Sequence, residues 1–380
     1  MIDEAQLYSL RVSDKTVWRF IAVTCADRRQ GLGEFTLDAV PDGLEAWVAE
    51  VGESLLGHEA TPACLHDLLP LPCGDLAKAA VYSAYDQALC DLAAQAREQS
   101  LAAFLGAKNP ASSIPLYANV NRRTRDRSPE GFALSAAEAA AQGFAAVKIA
   151  PFDSLDPKIC ATPVGQRAID AGLERVAAVA ERLNGAAGLM VDCHWRFSAE
   201  AAEALIGPLS SLGVSWLECP QEESVEAVDA LRRVRNLAND AGMRLAGCET
   251  MIGWEGFRPF VEGGAYDVVM PDVKYAGGLA AIVEIAARAS AAGVGVSLHN
   301  PSGPVAHLHS LHVSAALESA LPLELQFDES PLFNSITRPA CRFEGGRALL
   351  PDGRGLGAAL DTARMDQPAT KPRTAAAGRN

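Results

Sequence analysis

Leu189-Met-Val-Asp192, Val214-Ser-Trp-Leu-Glu218, Met243-Arg-Leu-Ala-Gly-Cys-Glu249, Tyr266-Asp-Val-Val-Met-Pro-Asp272 and Val294-Gly-Val-Ser-Leu-His299 are five apolar runs, each ending in an ionisable side chain. From Asp192 through Glu218, Glu249 and Asp272 to His299 the intervals are 26, 31, 23 and 27 residues. Each interval is the length of one strand plus the crossover helix that a parallel neighbour requires. Near-continuous apolar runs are the mark of parallel strands buried on both faces. In a barrel of such units the chemistry sits at the C-terminal strand ends. Five titratable groups at five successive strand ends therefore converge on one mouth, and that mouth is the candidate active site.

Outward from this core the βα period continues. Upstream it predicts a strand over 114–120, a helix over 133–142 and a strand over 145–150. Helices are expected over 166–183, 199–212, 225–241, 254–262, 279–292 and 304–317, and a last strand over 322–326. Before the barrel, alternation predicts three antiparallel strands over 8–12, 16–25 and 31–36. Helical patterns follow over 43–57, 63–69 and 76–95, the last with Ala80, Ala84, Ala88 and Leu92 on adjoining positions. Strands followed by helices make an α+β unit. The fold class is thus α/β, a TIM-type barrel with an α+β capping domain. The domains are placed at 1–112 (cap), 113–330 (barrel) and 331–365, a loop-rich segment with a hairpin that returns to the cap. A Pro/Thr/Ala-rich tail over 366–380 is expected to be disordered.

Composition bounds the function. With 380 residues, 49% apolar, the chain can bury a large core. A formal charge of −14 argues against a surface that tracks nucleic-acid phosphates. No 18-residue apolar run and no basic leader with an apolar core is present, so neither a membrane span nor a signal peptide is expected. Nine scattered cysteines, several within apolar runs, read as reduced side chains of a cytoplasmic protein.

Asp192, Glu218 and Glu249 would repel one another at close quarters unless a cation neutralises them. An oxygen-only ligand set suits a hard divalent ion such as Mg2+, one per subunit. Singly, each could be an ordinary strand-end acid; three at matched intervals favour the metal. Asp272 and His299 form a carboxylate–imidazole pair, which fixes the tautomer and tunes a general base or acid. His194, two residues beyond Asp192, is placed at the same mouth by strand alternation. Lys148, the one cation on an apolar strand, would meet a substrate carboxylate or snorkel. Lys274 has a weaker claim and could be a structural counter-charge to Asp272. Glu324, between two apolar neighbours on the last strand, could be held protonated and donate a hydrogen bond.

His307, His309 and His312 fall on one helix and read as packing rather than as a zinc cluster. Gly31-Leu-Gly33 and Gly353-Arg-Gly355-Leu-Gly357 read as turns. Loops 12–16 and 26–33 are expected to close over the mouth, with Arg28-Arg29 an option for an acidic substrate end.

Taken together, these residues resemble the enolase superfamily in its mandelate racemase-like branch. The resemblance rests on Gly31-Leu-Gly-Glu34, Ala84-Tyr-Asp-Gln-Ala-Leu-Cys-Asp-Leu92, Val191-Asp-Cys-His194, Leu217-Glu-Cys-Pro220, Gly247-Cys-Glu249, Pro271-Asp272 with Gly277-Gly278, and His299-Asn-Pro-Ser-Gly-Pro304. It implies a (β/α)7β barrel, Mg2+ on Asp192, Glu218 and Glu249, a His299–Asp272 dyad, Glu324 as an acid beside the enediolate, and a homo-oligomer. Racemase-like members carry Lys-x-Lys on the second strand; here it is Lys148-Ile-Ala150, so the opposite-face base is missing. A single lysine with a histidine after the first metal ligand is similar to the galactonate and mannonate dehydratases. The expected activity is dehydration of a sugar acid, a small-molecule carboxylate, to a 2-keto-3-deoxy acid. Alternatives are a racemase, epimerase or cycloisomerase on the same site, or a catalytically silent sugar-acid-binding barrel.

Overall fold

Strands β1 (Ile2–Arg11), β2 (Val17–Cys25) and β3 (Gln30–Glu34) form an antiparallel meander with β2 in the middle. β1 starts earlier than alternation indicates, because a bulge between Ile2 and Glu4 breaks the two-residue period. The computed structural model describes residues 1–37 and 39–366. Four helices follow: α1 (Leu44–Leu55), α2 (Pro62–Leu68), α3 (Leu76–Ala96) and the short α4 (Leu101–Phe104). α3 is buried along residues 79–94, and its small residues let β3 approach closely. Gly31 and Gly33 are strand residues here, contrary to the turn reading. A Cβ on Gly33 would lie 1.9 Å from the Ala84 carbonyl oxygen, and one on Gly31 2.1 Å from that of Ala88.

The barrel strands are β4 (Ser113–Asn119), β5 (Ala146–Ile149), β6 (Gly188–Asp192), β7 (Val214–Glu218), β8 (Arg244–Gly247), β9 (Val268–Val269), β10 (Gly295–Val296) and β11 (Leu323–Gln326). Neighbours in this order pair in parallel through β10, and β11 pairs in parallel with β4. The ring closes where the Leu321 N–H donates to the Val296 carbonyl at 2.9 Å. Between the strands run α5 (Pro129–Ala141), α6 (Pro163–Leu183), α7 (Ala199–Ser211), α8 (Val228–Asp240), α9 (Gly253–Glu262), α10 (Leu279–Ala291) and α11 (Pro304–Ala316). This is the expected (β/α)7β order. Ser128, Thr162 and Ser198 supply side-chain N-caps, the first two followed by proline at the first helical position. Tyr117, Met190, Trp216, Ala246, Val268 and Met270 fill the barrel interior. Among the described residues no helix is long and apolar enough to cross a membrane.

After β11 the chain adds β12 (Thr337–Arg338), β13 (Phe343–Glu344), β14 (Arg347–Leu349) and β15 (Ala359–Leu360). The β13–β14 hairpin docks on the barrel rather than the cap, since β14 pairs antiparallel with β4. Beyond it the segment does reach the cap: the Leu356 N–H donates to Asp91 and Asp366 bridges to Ser9. Of the tail read as disordered, residues 367–380 lie outside the described residues.

Two barrel helices are capped from across the domain junction. α11 has glycine at its N-cap and no side-chain cap of its own. Glu34, at the end of β3, accepts instead from the N–H groups of Gly303 (2.7 Å) and Ala306 (2.9 Å). α10 likewise begins after Gly278, and Asp86 of α3 accepts from the Leu279 N–H at 2.7 Å. Each carboxylate satisfies orphan N–H groups and meets the positive end of a helix. Gln87 of α3 adds a bond to the Val273 carbonyl at 2.9 Å, and Ser83 accepts from the Gly277 N–H at 3.1 Å.

His66 of α2 lies 3.0 Å from the outer oxygen of Asp86. Its hydrogen bond to Asp86 raises the imidazole pKa above the ordinary 6.5, against the opposing effect of burial. The sign follows from linkage: the pair's contribution is complete below about pH 6.5 and fades as pH rises through the raised value. The His66 side chain is 43% exposed, so solvent screening keeps that contribution below about 1 kcal/mol. His66→Ala should therefore lower Tm more at pH 6 than at pH 9. A pH-independent Tm difference would leave only the packing of His66 against Tyr82.

Candidate active site

Asp192 and Glu218 are the last residues of β6 and β7 and stand opposite each other in the strand register. Glu249 lies two residues past the end of β8, turned inward by Cys248 in a left-handed conformation (φ 70°). All three carboxylates are buried, and one oxygen from each lies within 4.8 Å of the others. Burial raises the Glu218 pKa to about 8; Lys148 opposes this, while Asp192, Glu324 and Glu249 add to it. Burial also raises Glu249, against the pull of His299. Burial acts on Asp192 in the same sense, but His194 and Lys148 outweigh it and hold the group at about 2. Buried carboxylates this close fit a hard divalent cation, which removes both their desolvation cost and their repulsion.

His299 lies three residues past β10, its Nδ1 at 2.7 Å from the Asp272 carboxylate. Asp272 is held in turn by the Lys274 backbone N–H (2.8 Å) and the Lys274 ammonium (3.2 Å). That arrangement turns Nε2 of His299 toward the triad, 3.5 Å from Glu249. Burial lowers the imidazole pKa, but Glu249, Asp272 and Glu324 outweigh it and set it at about 9. Positive charge held at Glu249 would remove part of that pull and bring the ring nearer neutrality.

His194 reaches the same place by a different route from the expected one. Strand alternation does not continue past Asp192, because His194 and Trp195 are both left-handed (φ 47° and 56°). The turn is closed by the His194 N–H donating to Asp192 at 2.9 Å, and the ring Nε2 lies 2.8 Å from the other Asp192 oxygen. Its side chain is 41% exposed, open to a substrate where His299 is buried. The Asp192 charge raises its pKa to about 9, over the opposing effect of burial.

Lys148, fully buried, ion-pairs with Glu218 and with Glu324, the latter at 2.9 Å. The sequence offers it a substrate carboxylate or a snorkelling position; here two protein carboxylates pair with it. Burial lowers its pKa, yet Glu218 and Glu324 reverse that and keep it charged. Glu324, which could have been held protonated as a donor, is surrounded by donors instead. Glu324 accepts from Asn119 Nδ2 (2.7 Å), the Asn300 N–H (2.9 Å) and Lys148. Three donors favour the ionised form. Burial alone would raise its pKa, but Lys148 and His299 lower it to about 2.

The histidines of α11 are core residues. His307 meets Asn300, His309 lies against the Leu32 carbonyl and His312 against that of Leu356. Burial lowers all three pKa values, to about 3, 3 and 4. The capping loops divide. Loop 12–16 reaches the barrel mouth, where Thr16 Oγ1 donates to Glu329 at 2.5 Å. The turn at 26–29 sits at the opposite end of the meander, beside Met1, and Arg29 is engaged by Asp27 and the Leu92 carbonyl. The stretch after β3 takes its place at the mouth, where Tyr275 donates to the Thr36 carbonyl at 3.4 Å.

Sequence reasoning missed Trp216, whose Nε1 donates to Glu218 at 2.9 Å, and the Asn119 and Asn300 partners of Glu324. Trp216 was findable: two residues before Glu218 on one strand, it shares that face.

Residues 131–364 match the family described as Enolase C-terminal domain-like. D-gluconate dehydratase of Thermoproteus tenax is 28% identical over 295 residues, 77% of this chain and 57% of that protein. The chain thus spans little more than half the length of that relative. D-galactonate dehydratase of Variovorax paradoxus is 28% identical over 327 residues, covering 83% of this chain and 79% of the other. The solved mandelate racemase/muconate lactonizing enzyme from Sulfitobacter sp. shares the fold with a TM-score of 0.83 at 20% identity, over 95% of this chain and 93% of that one. The family match takes in more than half of the chain and every candidate site residue from Lys148 to Glu324, and the protein belongs to the Enolase C-terminal domain-like family of the enolase superfamily.

Proposed function

We propose that the protein is a Mg2+-dependent dehydratase of a sugar acid, removing water across C2–C3 to give a 2-keto-3-deoxy acid. The observation that carries the reading is the pair of imidazoles at the carboxylate triad, His299 at Glu249 and His194 at Asp192. Elimination needs one group to take the proton α to the carboxylate and another to give a proton to the departing hydroxyl. His299, held in one orientation by Asp272, takes the first role; His194, more exposed, takes the second. When bound by Asp192, Glu218 and Glu249, the divalent ion would supply positive charge to the substrate carboxylate, worth several kcal/mol as the α-proton leaves. Lys148 balances Glu218 and Glu324, and Lys274 keeps Asp272 aimed. Substrate names on the dehydratase relatives support a sugar acid as the substrate class.

Racemisation and cycloisomerisation are less well served. Past Lys148 the second barrel strand offers Ile149 and Ala150, so that side lacks a second ammonium. Burial lowers the Lys274 pKa, but the Asp272 charge outweighs it and raises the group, the wrong direction for a base. A panel of sugar acids incubated with Mg2+ should yield a keto acid that forms a semicarbazone with at least one member. Solvent deuterium at the α-carbon without keto acid would replace this reading by an epimerase. Mg2+-dependent binding without turnover across the panel would replace it by a binding protein.

A further inference from the structure

Glu223 has no part in the chemistry above, yet its carboxylate is folded inward from the loop after β7. Its Oε1 accepts from the Cys248 N–H at 2.6 Å and from the Tyr266 hydroxyl at 2.7 Å. Cys248 is the left-handed residue immediately before Glu249, so this bond fixes the turn that aims the third carboxylate of the triad. Left-handed backbone is disfavoured for a residue with a Cβ, and this short hydrogen bond offsets part of that strain. The Trp195 indole also interacts with this carboxylate, and Trp195 follows His194. The Trp195 backbone N–H donates to the Cys219 carbonyl at 2.7 Å, at the root of the loop that carries Glu223. Room for the carboxylate exists because residue 247 is glycine: a Cβ there would stand 2.3 Å from Glu223 Oε1 and 2.6 Å from Cζ of Tyr266. One side chain thereby ties together the turns after β6, β7 and β8 and the start of β9.

We propose that Glu223 is a positioning residue that holds Glu249, and with it the His194 turn, at the geometry the divalent ion requires. This rests on the reading of Asp192, Glu218 and Glu249 as a metal site. Partners that orient ligands from outside the coordination sphere change metal affinity when removed, commonly by about 10–100-fold.

The test is a calorimetric titration of the whole chain with Mg2+, beside a melting curve of each variant in EDTA. Glu223→Ala should weaken Mg2+ binding by about 10–100-fold. Glu223→Gln keeps an oxygen for the Cys248 N–H and should stay close to wild type. Gly247→Ala displaces the carboxylate and should reproduce the loss. Should Glu223→Ala not fold, Glu223→Asp, one methylene shorter, carries the same test. Wild-type Mg2+ affinity in both Glu223→Ala and Gly247→Ala, whatever their melting temperatures, would overturn the proposal. A Gln variant as weak as the Ala variant would overturn it too. Failure of the wild-type protein to bind Mg2+ would instead strike the metal reading itself.

Discussion

Glu218→Gln should abolish both Mg2+ retention and turnover. Glu218 is the middle carboxylate of the triad, opposite Asp192 in the register, and Trp216 and Lys148 fix its orientation. The amide is nearly isosteric, so packing around Trp216 should survive while the negative charge is lost. Mg2+ affinity should fall by more than about 100-fold, beyond the upper end of what loss of an outer partner causes. Turnover should fall by about 1,000-fold or more, since several kcal/mol of charge stabilisation are removed and each 1.4 kcal/mol is a factor of ten. A thermal readout separates binding from chemistry. At 100 times the dissociation constant, Mg2+ should stabilise the wild-type fold by about 2.7 kcal/mol. The same addition should leave the Glu218→Gln melting temperature unmoved. A wild-type shift in that variant would remove Glu218 from the ligand set.

His299→Asn is expected to divide the reaction in the other direction. Asparagine can still reach toward Asp272, and Mg2+ affinity should remain near wild type because no carboxylate of the triad is altered. Exchange of the substrate α-proton with solvent should drop by about 100- to 10,000-fold, the range general-base removal commonly costs. Proton NMR of the substrate in deuterated buffer measures this directly. Undiminished exchange in His299→Asn would move the base elsewhere, and His194 would be the next residue to vary.

The sequence carried the barrel because five of its eight strands announce themselves twice, as an apolar run and by a titratable residue at or just past the end. Asp192, Glu218, Glu249, Asp272 and His299 were all placed at one mouth from spacing alone, and the structure brings them together there. What it hid was partnership. Nothing in Leu323-Glu-Leu325 tells that Asn119 and Asn300 would both donate to Glu324, since those residues lie on other strands. Nor does Cys-Pro-Gln-Glu-Glu223 say which of two adjacent acids turns inward. The loop error had a findable cause: successive turns of a meander lie at opposite ends, so 12–16 and 26–29 could never cover the same opening. His194 was located correctly for a wrong reason, because a left-handed turn replaced the strand period.

The trans-capping of α10 and α11 bears on how a substrate gets in. Hinging the whole lid away would strand the Gly303, Ala306 and Leu279 amides and the Val273 carbonyl together. Exchanged for water, each of these bonds is still worth about 0.5–3 kcal/mol net, the upper end where a carboxylate accepts, so lifting the lid as one body costs several kcal/mol. The 12–16 segment is fastened far more lightly, Thr16 donating to Glu329, so the edge of the roof yields at less cost than the roof as a whole.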